Sequence, residues 1–88
     1  GWSLGQNYPN PFNPSTSIPF TLSRAEFVTL TVHDIRGATV ATLVSARLPA
    51  GSHTVEFRTG GLEPVSGVYF YRLRAGGYSD ARKMLLVR

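Results

Sequence analysis

Val68-Tyr69-Phe70-Tyr71-Arg72-Leu73-Arg74-Ala75 is the stretch that decides the fold. Its residues alternate, as side chains do on the two faces of a β-strand. Val68, Phe70, Arg72 and Arg74 share one face, and Tyr69, Tyr71, Leu73 and Ala75 share the other. Two arginines are costly to bury without partners. The tyrosine and leucine face is therefore expected to point into a core, and Val68 and Phe70 to lie outside. Gly76-Gly77 follows as a hairpin signal. A last strand then runs from Tyr78 to Val87. Apolar residues fall on both of its parities, so its facing stays open.

Working back toward the start, period-two segments recur. Ile18, Phe20 and Leu22 alternate with Pro19 and Thr21, and Pro19 suggests an edge strand or a strand's first residues. Val28, Leu30 and Val32 alternate with Thr29, Thr31 and His33. Val40 to Val44 is a strand of ambiguous facing. Val55 and Phe57 alternate with polar neighbours. Between the segments, Asp34-Ile-Arg-Gly37 and Leu48-Pro-Ala-Gly51 read as turns, with Asp34 as a turn-capping side chain. Residues 59–67 form a longer connection. No segment shows a helical repeat. Six to seven short strands in 88 residues predict an all-β, immunoglobulin-like antiparallel sandwich. A single domain over 1–88 is expected, with an extended arm at 1–15 and the sandwich at 16–88. Tyr69, opening its strand after a long connection, is the expected tyrosine corner.

The arm is Pro/Asn-rich. Pro9, Pro11 and Pro14 lie there with all three asparagines of the chain, Asn7, Asn10 and Asn13. Each proline pushes its predecessor out of the helical region. Tyr8 and Phe12 are the expected anchors, and Trp2 the staple to the sandwich. Charge is absent before Arg24. From Gly67 onward four Arg and one Lys stand against Asp80, an excess equal to the whole chain's net charge of +4.

Small size leaves little volume for a catalytic cleft. There is no Cys, hence no disulfide, thiolate site or thiol nucleophile. The five acids fall on different turns and strands, and His33 and His53 read as surface imidazoles. No catalytic residue, cofactor or metal site is expected. Nucleic-acid binding is not expected either, because the aromatics are needed for the core. No run of apolar residues is long enough to cross a bilayer. The chain opens at Gly1 with no leader pattern, which suggests a piece cut from a longer protein.

Four blocks together carry a resemblance. Gln6-Asn-Tyr-Pro-Asn-Pro-Phe-Asn-Pro-Ser-Thr16 closely resembles the opening motif of C-terminal sorting domains (type A) of the type IX secretion system. Leu48-Pro-Ala-Gly51 leading to Val55-Glu-Phe57, then Ser66-Gly-Val-Tyr-Phe-Tyr-Arg-Leu73, then Lys83-Met-Leu-Leu-Val-Arg88, resemble the same family in the same order. That family occurs in secreted proteins of the Bacteroidota and is similar to the immunoglobulin-like domain of the flagellar hook-capping protein. The resemblance implies a targeting module that sends an upstream cargo through the periplasm and outer membrane to the cell surface. It implies an outer-membrane translocon and a sortase-like surface protease as partners, with cleavage upstream of Gln6 or retention as an anchor. Its motif positions map onto Asn10, Pro11, Gly51, Gly67, Tyr69, Lys83, Met84, Leu85 and Leu86. Val68, Phe70, Arg72 and Arg74, with Arg82, Lys83 and Arg88, are expected to form an exposed apolar and basic recognition surface. Two other classes stay open. One is a passive immunoglobulin-like module of a multidomain extracellular enzyme, for which Arg88 need not end the parent protein. The other is a carbohydrate-binding module, which would show aromatics on one exposed face.

Overall fold

The computed structural model describes residues 2–59 and 66–87. Among them there are seven strands and no helix. They are β1 (Ser3–Leu4), β2 (Ser15–Leu22), β3 (Glu26–His33), β4 (Thr39–Leu48), β5 (Gly51–Arg58), β6 (Gly67–Ala75) and β7 (Tyr78–Leu86). Sheet A has the order β1-β2-β5, and sheet B the order β4-β3-β6-β7. All neighbouring strands are antiparallel. The chain is an all-β, immunoglobulin-like sandwich, as its alternation predicts.

The core lies between the sheets. Sheet A contributes Leu4, Ile18, Phe20, Leu22 and Phe57; sheet B contributes Val28, Leu30, Val32, Tyr71, Leu73, Met84 and Leu86. Each large apolar side chain buried this way contributes about 1.5–3 kcal/mol. On β6 the facing follows the arginines. Tyr71 and Leu73 are fully buried, whereas Phe70 and Arg74 are exposed.

β7 resolves what its sequence left open. Tyr69 pairs with Met84, and Gly67 with Leu86. Directly paired residues share a face, so Met84 and Leu86 go inward and Lys83 and Leu85 outward. β4 is longer than its apolar run and is irregular. The register with β3 skips Leu43 and Val40, giving two bulges. Each bulge resets the alternation, which is why the facing of this strand could not be read.

One expectation is corrected. Pro19 does not mark an edge or a strand's beginning: it sits within β2, the middle strand of sheet A. The arm holds β1, which pairs with β2 through Ser3–Thr21 and Leu4–Phe20. The Tyr8–Pro9, Asn10–Pro11 and Asn13–Pro14 bonds are cis.

Candidate functional site

The arm and the last strand, at opposite ends of the chain, are bonded to one another. The Arg82 Nε donates to the Leu4 carbonyl at 2.7 Å, and the Gln6 Nε2 donates to the Lys83 carbonyl at 2.9 Å. The Leu85 N–H donates to Asn10 Oδ1 at 2.9 Å. Phe12 then pairs with Leu86 as a parallel bridge, through Phe12 N–H to Leu85 O (2.9 Å) and Val87 N–H to Phe12 O (3.1 Å). β7 is the edge strand of sheet B, and the arm takes up backbone groups that an edge strand otherwise leaves to water. The Gln6–Thr16 block and residues 83–87 of the terminal block thus meet along one side of the sandwich.

Asn7 is the hub of the arm, and its sequence position carries no signal that singles it out. It is buried, as is Thr16. Its Nδ2 donates to Thr16 Oγ1 (3.0 Å) and to the Pro9 carbonyl (3.2 Å), and its Oδ1 accepts from Gln6 Nε2. Its backbone N–H donates to the Tyr71 hydroxyl at 2.8 Å, which in turn donates to the Gly5 carbonyl at 2.7 Å. Buried polar groups are costly unless bonded in this way. Burial pushes the Tyr71 hydroxyl above the ordinary tyrosine pKa, and the Asn7 N–H and Arg82 partly oppose it.

The hydroxyl that reaches the arm belongs to Tyr71, while Tyr69 packs half-buried against the core, and the connection before it, where a tyrosine corner would bond, lies largely outside the described residues. Both face inward, but Tyr71 lies further along β6, opposite the arm. Phe12 is a buried anchor as expected, whereas Tyr8 is 79% exposed and anchors nothing through its ring. Trp2 is stapled as expected: its ring stacks on Tyr78 with centroids 6.3 Å apart, and the Arg24 guanidinium lies 5.6 Å over it.

The other expected positions divide by role. Gly51 and Gly67 open β5 and β6 at φ of +123° and +144°, where a side chain is strained. Asn10 caps the Leu85 N–H, and Pro11 beside it is exposed. Arg72, Arg74, Lys83 and Leu85 share the outer face of sheet B with Val68 and Phe70. Arg82 does not join them. It pairs with Tyr71, so it starts from the inner face at the sheet edge and is turned to Leu4. Arg88 lies outside the described residues.

Asp34 caps its turn, accepting at Oδ1 from the N–H groups of Arg36 (2.9 Å) and Ala38 (3.0 Å). His33 lies between Thr31 Oγ1 (2.8 Å) and Thr39 Oγ1 (3.3 Å). Among the described residues, no three His, Asp or Glu side chains converge on a point that could hold a metal.

Against known proteins, the family described as "Secretion system C-terminal sorting domain" matches residues 6–87. No curated protein and no solved structure matches the chain.

Proposed function

The chain belongs to the family of secretion system C-terminal sorting domains, and from that we propose that it is the address by which a larger cargo is taken through the type IX secretion system to the cell surface. The family is one of sorting signals and not of enzymes. Membership implies export to the surface or the medium, a cargo partner and contact with the type IX machinery.

The finer reading is that the folded domain reaches the periplasm with its cargo and is taken up by an outer-membrane translocon. A sortase-like surface protease, acting upstream of Gln6, is the second partner in this reading. Family membership supports the translocon as partner, and the observation that supports uptake as a folded object is the bonding of the opening block to the terminal block along β7. A signal of this kind is a folded object, presenting residues from both chain ends in one place.

The test is a reporter carrying a secretory leader and fused ahead of this chain. In cells with a type IX system the reporter should appear outside the outer membrane. In a translocon-deficient strain it should stay in the periplasm. Equal export from both strains would refute the proposal.

A further inference from the structure

The two faces of the sandwich differ in chemistry. On the outer face of sheet A, Ser15, Ser17, Pro19 and Thr21 lie beside β5, where Arg58 and Glu56 stand 3.9 Å apart and offset one another. On the outer face of sheet B, the strand positions carry Arg47, Arg72, Arg74 and Lys83 and no acid. The same face bears Phe27, Phe70 and Leu85, all exposed, and Ile35 in the β3–β4 turn is 74% exposed. Phe70, Leu85 and Ile35 lie at one end of this face and Phe27 at the other, and apolar groups exposed together among like charges mark an interaction surface.

One end of that face is shaped. Two shallow depressions, each of about 340 Å³, straddle Ile35. Phe70, His33 and Arg72 line the first, on the outer face; Val68, Arg36 and the inward-facing Tyr69 line the second, which wraps round the end of the sheet. Asp34 borders both, its Oδ1 accepting from two N–H groups of its own turn, and its single negative charge stands against Arg36, Arg72 and Lys83. Arg72 is held over the sheet by a 2.8 Å bond from Nη1 to Ser79 Oγ. A guanidinium has five N–H donors, so most of its capacity to bind a carboxylate remains.

Resting on the sorting reading for its biological setting, we propose that this end of sheet B is a docking surface for an acidic segment of a partner protein. The segment seats apolar side chains in the two depressions beside Ile35 and lays carboxylates on Arg72, Lys83 and Arg36. The positive face asks for a negative partner. Hydroxyls of Thr29, Thr31 and Thr42 run across the middle of the face, which suits a hydrogen-bonding protein segment and not the interior of a lipid layer.

The proposal is tested by titrating the isotope-labelled 88-residue chain with a synthetic peptide of alternating Glu and Leu, following backbone amide shifts. Shifts should centre on Ile35, Phe70, Arg72 and Lys83 and weaken with salt. Binding should fall roughly tenfold or more in Arg72→Glu/Lys83→Glu and in Ile35→Ser, all exposed or half-buried positions that leave the core intact. Shifts confined to sheet A, an equal response to the Lys-for-Glu peptide, or a response only to phosphatidylglycerol vesicles would overturn it. The reporter fusion separates the two readings. Normal type IX-dependent export beside a failed titration sinks the docking surface alone. A sound titration beside export that ignores the translocon sinks the sorting reading alone.

Discussion

The Tyr71 hydroxyl fills a hydrogen-bonding place that Pro19 cannot. Gly5 N–H donates to the Pro19 carbonyl at 2.8 Å, continuing the β1–β2 ladder by one residue. In an antiparallel pair the facing residue returns that bond through its own N–H, and proline has none. The Gly5 carbonyl instead accepts from Tyr71, 66 residues away, which also receives the Asn7 N–H. A defect in sheet A is thereby turned into a tie between the two sheets.

Tyr71→Phe keeps the ring and removes both bonds, leaving a half-buried carbonyl and a buried N–H without that partner. Equilibrium urea unfolding should show a loss of about 1–3 kcal/mol. A change within error would mean that water replaces the hydroxyl.

The same hydroxyl sets a limit in alkali. Burial raises its pKa in the folded chain. The neutral phenol is thus favoured by folding, so its contribution is fully present below the unfolded value of about 10 and is lost as pH rises through the folded value. Stability should fall above about pH 10, and less steeply in Tyr71→Phe. Tyr78, also raised, chiefly by burial and then by Asp80, leaves part of the slope in the variant. A slope identical in both proteins would contradict the assignment.

Gly5 and Pro19 form a steric pair. A Cβ on Gly5 would stand 2.8 Å from Pro19 Cγ, inside contact distance of a stiff ring. Gly5→Ala should therefore cost about 1–3 kcal/mol. In Gly5→Ala/Pro19→Ala the obstructing Cγ is gone, and much of the loss should return. Additive single effects in the double-mutant cycle would show that the ring is not the cause.

Adjacent leucines near the end of β7 should respond differently. Leu86 is buried and Leu85 is 38% exposed. Leu86→Ala should cost about 2–5 kcal/mol in thermal or urea unfolding. Leu85→Ala should stay below about 1 kcal/mol. Reversed magnitudes would mean a register shifted by one residue.

Asn10→Ala should act locally. It removes the acceptor of the Leu85 N–H at an exposed site. Amide exchange at Leu85 and Val87 should quicken while global stability moves by less than about 1 kcal/mol. Unchanged exchange would mean that the Asn10 side chain does not protect the Leu85 N–H.

Where one parity of a strand is polar, facing is written into the sequence. Arg72 and Arg74 cannot be buried unpaired, so the β6 alternation alone placed Tyr71 and Leu73 in the core and Phe70 outside. The turns at Asp34 and Gly76 and the position of the excess charge were legible for similarly local reasons. The opening and terminal blocks were legible as motifs. Their contact was not, because a bond between Gln6 and Lys83 depends on the closure of the whole chain between them.

Tertiary structure decided the rest. The facing of β7 came from pairing with Tyr69 and Gly67, since Met84 and Leu86 on one parity and Leu85 and Val87 on the other look equally apolar in isolation. The facing of β4 was hidden by bulges that reset its period. Tyr69 and Tyr71 share a face, so alternation could not choose which hydroxyl reaches the arm. Position along β6 chose it, by setting Tyr71 opposite the carbonyl that Pro19 leaves free.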